Sequence, residues 1–181
     1  MVRHFTSDEH SSESRRAEKD PKAAAFPRSR GDAQVALKQF TAAVPDFQRA
    51  YTLLKPTLPF AAASVQLKIA RCHLQMGLHS LALVAVREVL TVIPGDADAL
   101  RIKKHLVAIE DGVEAYRNAS ARRQWKAVRT AFESCKKAYE GENAIVPVHI
   151  RCWEVEAAVA EGRWSEALEA SAYVLSWEVM P

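Results

Sequence analysis

Apolar residues recur at helical spacing on both sides of Gly77. The segment that begins at Ala63 carries apolar side chains three or four residues apart. The segment after Gly77 does the same and ends at Pro94 and Gly95. Spacing of this kind is typical of helices that bury one wide face, and Gly and Pro are typical of helix ends. The pattern therefore predicts that residues 63–96 form a 34-residue unit of two antiparallel helices.

The same pattern returns three more times in weaker form. The second helix of each unit is expected to begin at Phe40, His79, Trp125 or Trp164, and these residues are 39, 46 and 39 positions apart. The positions that follow in register in the three weaker units are Ala43, Phe47, Ala50, Val128, Phe132, Cys135, Ala167, Ser171 and Val174. Repeated units of this length predict an all-α solenoid of stacked antiparallel helix pairs, with about 3.5 repeats and a degraded first repeat.

One of these separations is longer than the others. It exceeds the 34-residue period by 12 residues, whereas the other two exceed it by 5. The surplus lies between Ala97 and Arg123, a stretch without Pro in which Gly112 is the single Gly. Twelve additional helical residues would add about 18 Å at 1.5 Å per residue. We therefore predict one extended helix that projects beyond its neighbours.

The first 27 residues are polar and mixed in charge, unlike the rest of the chain. They contain no apolar core of the length that a secretory signal needs. No segment of the chain approaches the roughly 18 apolar residues of a membrane span. We interpret residues 1–27 as a disordered tail ahead of a helical repeat domain at residues 28–181. We expect a cytoplasmic or nuclear protein that does not enter membranes.

Residue types that carry enzymatic or metal chemistry are sparse. The three cysteines, Cys72, Cys135 and Cys152, form no Cys-x-x-Cys motif, which argues against a zinc site and a disulfide framework. No Gly-x-x-x-x-Gly-Lys-Ser/Thr phosphate loop occurs. On a helix, Cys72 and His73 would point about 100° apart, so they do not form a nucleophile–base pair. We expect no enzymatic activity, no metal and no cofactor.

The run LKIARCHLQMG and the helix that follows it resemble a tetratricopeptide (TPR) repeat. In that register the small residues Ala70 and Ala82 stand where two helices cross closely, and Pro94 stands near the end of the unit. The resemblance assigns structural positions in the other units to Phe40, Ala43, Trp125, Phe132, Trp164 and Ala167. The two tryptophans are expected to cover the groove between helices and bury much surface. The family implies a protein that binds partners in a concave groove.

The likeness is sharpest to the TPR region of DnaJ-type co-chaperones, over about residues 33–175. This resemblance rests on that run, the long helix, the RRQW segment and the segment EGENAIVPVHIRCWEVEAAVAEGRWSEALEAS. None of the six histidines is followed by Pro-Asp, the signature of a J domain. We therefore expect a truncated or reduced relative without J-domain activity. The resemblance implies a heat-shock chaperone or a client protein as the partner.

A polar stripe on the first helix of the clearest unit is the candidate binding site. Lys68, Arg71 and Gln75 are spaced i, i+3 and i+7, which places them on one face. In TPR stacks this helix lines the groove, so the stripe is expected to contact an acidic or carboxylate-bearing peptide. An ordinary solvated face is the alternative. Related domains bind the C-terminal carboxylate of a chaperone through Asn, Lys and Arg side chains. At the corresponding positions this chain has Ser29 in place of an Asn, Ser64 in place of a Lys and Lys68 in place of an Arg.

Two further functions stay open. The C-terminal run SAYVLSWEVMP is apolar for an exposed helix, which favours self-association because repeat arrays normally end in polar surfaces. Weak RNA binding through basic helix faces is the other alternative. The basic clusters that could serve it are Arg101, Lys103, Lys104 and His105, and Arg122, Arg123, Lys126 and Arg129. Dedicated nucleic-acid binders concentrate charge more strongly, so a protein partner is the leading expectation.

Overall fold

The computed structural model describes residues 21–178, with side chains from residue 23 to residue 172. Within these residues the chain forms eight α-helices, one 3-10 turn at Pro21–Ala24, and no strand. The helices are α1 (Ala25–Ala36), α2 (Phe40–Leu54), α3 (Pro59–Gln75), α4 (His79–Val92), α5 (Ala97–Ala121), α6 (Trp125–Glu140), α7 (Val148–Ala160) and α8 (Trp164–Glu178). Neighbouring helices pack against each other, which confirms the predicted all-α, repeat-like fold.

The helices follow one another as four pairs, and the four predicted starts of the second helices are confirmed. The second helix of each pair, α2, α4, α6 or α8, begins at Phe40, His79, Trp125 or Trp164. The first repeat, predicted as degraded, is formed by the pair α1 and α2. Pro94 and Gly95 follow the end of α4, as predicted.

The turn inside each pair has the same length and the same hydrogen bonds. Three residues separate the helices at 37–39, 76–78, 122–124 and 161–163. The middle residue has a positive φ in all four, at Lys38 (59°), Gly77 (75°), Arg123 (56°) and Gly162 (72°). The third residue donates its N–H to a carbonyl five residues earlier, as Leu78 does to His73 over 2.8 Å. These are Schellman motifs, which satisfy the last carbonyls of a helix.

Helix α5 is the extended helix that the sequence predicts, and it has 25 residues. Its length is about 37 Å at 1.5 Å per residue. The prediction that this helix projects beyond its neighbours is wrong for its last two turns, which pack against α7. Tyr116, in its last two turns, stacks on Trp153 of α7 with ring centroids 4.0 Å apart, and Ser120 donates a hydrogen bond to Glu156. The added length is therefore used for packing against α7.

The described chain divides into two compact units. The first comprises residues 21–72 and 84–99, and the second comprises residues 73–83 and 100–178. Buried apolar side chains of α1 to α4 fill the first unit, including Phe47, Val65, Ile69, Val86 and Val89. Gly31 of α1 lies against Phe47, because a Cβ atom at Gly31 would come within 2.7 Å of the ring.

The second unit has its own core, formed mainly by α5, α6 and α7. Large side chains buried in these three helices are Ile102, Leu106, Ile109, Phe132, Tyr139, Ile150 and Trp153. Gly112 of α5 faces Cys135 of α6 so closely that a Cβ atom there would overlap the sulfur atom. The Cys135 thiol lies 3.7 Å from the carbonyl oxygen of Ile109. The small residue thus lets the two helices approach each other.

The helical region begins before the predicted domain boundary. Residues 1–20 of the predicted tail lie outside the described residues, but residues 21–27 form the 3-10 turn and the start of α1. Pro27 stands in the first turn of that helix, where its missing N–H costs nothing.

Candidate functional site

Lys68 and Arg71 lie on α3 in the first unit, and each cation has an acidic partner. The Lys68 ammonium lies 2.6 Å from a carboxylate oxygen of Asp32 on α1 and 5.6 Å from the centre of the Phe47 ring. The Arg71 guanidinium lies 2.8 Å from a carboxylate oxygen of Asp98 at the start of α5. The structure therefore places two ion pairs next to each other along α3, one helical turn apart.

These two ion pairs are at the surface. The four side chains of Lys68, Asp32, Arg71 and Asp98 are between 36% and 55% exposed. Ion pairs with this much solvent contact contribute only about 0–1 kcal/mol, since water competes for both charges. The cations are therefore held in position without being withdrawn from solvent.

Gln75, the third residue of the predicted binding stripe, and Ser64 use their polar groups within the protein. Gln75 lies on α3 but in the second unit, where its amide donates a 3.1 Å hydrogen bond to the carbonyl oxygen of Asn143. The hydroxyl of Ser64 donates to the carbonyl oxygen of Phe60, one turn earlier in α3. Ser29 is exposed on α1. Neither serine carries the charge or the amide that a carboxylate clamp would use at its position.

The repeat positions predicted as structural are buried, with four exceptions. Ala43, Ala70, Ala82, Phe132 and Ala167 are buried, whereas Phe40 and Trp125 are half-buried and Pro94, after the end of α4, is exposed. The expectation that Trp164 buries much surface is wrong, since this side chain is 64% exposed. Trp164 is the first residue of α8, and four residues later Leu168 is 71% exposed.

The basic clusters lose part of their free charge to acidic neighbours. Arg101 and His105 both contact one oxygen of the Glu142 carboxylate, at 2.6 Å and 2.7 Å. Glu142 itself is nearly buried. In the other cluster, Arg129 pairs with Glu161 at 3.5 Å. Arg101, His105 and Arg129 therefore make contacts within the second unit, and the charge of the two arginines is partly neutralised there.

The second unit also contains a cleft that the sequence did not indicate. It has a volume of about 670 Å³. Three segments line it: the turn between α3 and α4, the loop between α6 and α7, and the first turns of α7. The lining residues are Gln75, Met76, Gly77, Ile145, Val146, Pro147, Val148, His149, Arg151 and Cys152. The apolar run Ile145–Val148 ahead of a helix is the sequence signal that could have revealed it.

The part of the chain that the structure describes shows neither a metal site nor a membrane helix. Among residues 21–178, no three His, Cys, Asp or Glu side chains converge as metal ligands would. In the same residues, no helix is both long and apolar enough to cross a bilayer.

No family model matches the sequence, and no curated protein matches it.

Proposed function

We propose that the protein is an interaction module that binds an acidic segment of a partner protein at Lys68 and Arg71. The paired surface cations on one face of α3 are the observation that supports this proposal. The TPR-like sequence pattern supports a chaperone-related role, with a heat-shock chaperone or one of its clients as the partner. We place this role in the cytoplasm or nucleus, where Cys72, Cys135 and Cys152 would stay free, as they are here.

A carboxylate of a bound peptide can replace the acidic partners of the two cations. Asp32 and Asp98 hydrogen-bond to Lys68 and Arg71 at the surface, so an incoming carboxylate meets side chains whose freedom is already reduced. Since exposed ion pairs contribute only about 0–1 kcal/mol, replacing them costs little. A peptide with two carboxylates spaced by one helical turn could engage both cations at once.

A charge reversal tests the proposal. The double variant Lys68→Glu/Arg71→Glu should bind C-terminal tail peptides of heat-shock chaperones at least about tenfold more weakly in isothermal titration, because two attractions become repulsions. Arg87→Glu, a reversal at an exposed position of α4, is the matched control and should bind like the wild type. Circular dichroism establishes that each variant is folded. Equal binding by the double variant, or no binding by the wild type, would refute the proposal.

Self-association is a second candidate, favoured by the apolar surface of α8. Trp164 and Leu168 are exposed on the same face, since residues four apart on a helix are neighbours. The other C-terminal residues expected to contribute lie wholly or partly outside the described part of the chain. They are Val179, and the side chains of Val174, Leu175 and Trp177. Sedimentation equilibrium should show dimers that Trp164→Lys/Leu168→Lys dissociates. A monomeric wild type at micromolar concentration would exclude this candidate.

A further inference from the structure

The turn between α5 and α6 is rich in positive charge. Residues 115–132 contain five Lys or Arg and no Asp or Glu, whereas the net charge of the whole chain is +3. Four of the five cations lie within ten consecutive residues, on both sides of the point where the chain reverses direction. They therefore lie at one end of the helix pair. We call these four residues the basic turn: Arg117, Arg122, Arg123 and Lys126.

The charge of the basic turn is not neutralised within the described part of the chain. All four residues are exposed, and among residues 21–178 none of them forms an ion pair with a carboxylate. Glu156, which contacts this end of the unit, accepts a hydrogen bond from Ser120. Glu161 pairs with Arg129, the fifth cation of the stretch. The four cations of the basic turn are therefore available to an anion from solution.

An aromatic and an amide side chain lie between these cations in the chain. Trp125 is the first residue of α6 and is half-buried, so part of its ring surface remains accessible. Gln124, which precedes it, is exposed, and its side chain forms no capping hydrogen bond to α6. Bases of single-stranded nucleic acids stack on aromatic side chains next to basic residues. An amide can both donate to and accept from the edge of a base.

The residue types of the basic turn favour phosphate as the anion. Three of the four cations are Arg, whose planar guanidinium can form two parallel hydrogen bonds with a phosphate group. A peptide carboxylate or an anionic lipid headgroup would supply negative charge, but not the flat rings that stack on Trp125. A nucleic acid supplies both. Unpaired bases are common in the loops and ends of RNA, where proteins bind them by stacking.

We propose that the basic turn binds single-stranded RNA. The four cations contact phosphate groups, one base stacks on Trp125, and the amide of Gln124 contacts the edge of a base. Because four phosphates are neutralised, the logarithm of the association constant should fall with the logarithm of salt concentration with a slope of about −3. This site shares no residue with the acidic-peptide site at Lys68 and Arg71, and a different polymer occupies it.

Charge reversal tests the phosphate contacts. Fluorescence anisotropy measures binding of the full chain to a labelled oligouridylate of about 12 nucleotides over a series of salt concentrations. Arg122→Glu/Lys126→Glu should bind at least about tenfold more weakly and show a flatter salt slope. Lys126 is the second residue of α6, where a carboxylate is favourable to the helix, so circular dichroism should show a folded variant.

An equal change of charge elsewhere in α5 is the matched control. Lys103 and Lys104 are exposed and lie about 20 Å before the basic turn at 1.5 Å per residue. This separation exceeds the Debye length of about 8 Å at physiological salt. Lys103→Glu/Lys104→Glu should therefore bind the oligouridylate like the wild type. Equal weakening by both double variants would show that only net charge matters, and would refute the site.

Two substitutions of Trp125 test the stacking of a base. Trp125→Leu keeps an apolar side chain but removes the ring, so the oligouridylate should bind at least about fivefold more weakly. Trp125→Phe keeps a ring and should retain most of the affinity. Thermal unfolding followed by circular dichroism establishes that both variants are folded at the temperature of the titration. Equal affinities of the wild type and both variants would contradict stacking on Trp125.

Other polyanions separate RNA from the alternatives. Absence of oligouridylate binding by the wild type at about 50 mM salt, where phosphate contacts are strong, would overturn the inference. Oligodeoxyuridylate that bound as tightly would remove the assignment to RNA, and polyglutamate that competed equally would reduce the site to attraction of charge. Lys68→Glu/Arg71→Glu should keep its affinity for the oligouridylate, so this inference and the proposed function can fail separately.

Discussion

Tyr116 and Trp153 stack with their ring planes 4° apart, and this pair joins α5 to α7. Trp153 is almost fully buried. The Tyr116 hydroxyl donates a 2.8 Å hydrogen bond to Glu156, and Ser120 donates to the other oxygen of that carboxylate. The last two turns of the longest helix are thus fixed to α7 by an aromatic contact and two hydrogen bonds.

Removing the buried ring of this pair should destabilise the protein. Trp153→Ala is expected to lower the free energy of unfolding by about 3–5 kcal/mol, the usual cost of truncating a buried aromatic residue. Urea denaturation followed by circular dichroism measures the change. Trp164→Ala is the control, and because its side chain is largely exposed it should cost at most about 0.5 kcal/mol. Equal costs for the two variants would contradict the packing described for α7.

The two glycines with positive φ should respond differently to the same substitution. Gly77→Ala and Gly162→Ala both force alanine into the left-handed region, which costs about 1–2 kcal/mol. At Gly162 the added Cβ meets nothing within 4 Å, whereas at Gly77 it comes within 2.7 Å of Pro147. Gly77→Ala should therefore be the more destabilising variant in urea denaturation. Equal destabilisation would mean that the loop before α7 yields to the added methyl group without cost.

The interaction energy between positions 112 and 135 can be measured by a double-mutant cycle of Gly112 and Cys135. Gly112→Ala should destabilise the protein although alanine is the better helix former, because the new methyl group overlaps the Cys135 sulfur. Cys135→Ala removes that sulfur and leaves a cavity. The double variant should be more stable than the sum of the single changes predicts, by about 1 kcal/mol or more. Strict additivity in thermal or urea unfolding would show that the helices separate to accept the methyl group.

Stability should fall in alkaline solution because two thiols are buried. Burial raises the pKa of Cys72 and Cys135 from 9.0 to about 11, and it also raises the pKa of Tyr139. The unfolded chain ionises these thiols first, so their contribution is complete below pH 9 and is lost as the pH rises towards 11. Urea unfolding at successive pH values measures this loss. Cys72→Ala/Cys135→Ala should show a smaller decline between pH 9 and 11, and an identical decline would assign it to other groups.

The helix pairs could be predicted from the sequence because their causes are local. Apolar spacing around Phe40, His79, Trp125 and Trp164 is enough to locate the start of four helices, and the absence of breakers between Ala97 and Arg123 is enough to predict one long helix. The start of the helical region could not be predicted in this way, since residues 21–27 are helical although the composition of α1 is polar.

The surface chemistry could not be predicted in the same way, because its partners are distant in sequence. Lys68 pairs with Asp32, 36 positions away, and Gln75 reaches Asn143, 68 positions away. Helical spacing indicates which side chains share a face, but not which carboxylate or carbonyl lies opposite. The exposure of Trp164 has the same explanation, because its place in the repeat does not determine how much of it is covered.

The four identical turns have a mechanical consequence. Each closes a helix pair through a contact between residues five positions apart, so little chain entropy is lost when it forms. Contacts this local favour rapid folding that can start at any pair. A chain pulled from its two ends should consequently lengthen in a series of small steps, as one hairpin after another opens, with each hairpin able to close again when the tension falls.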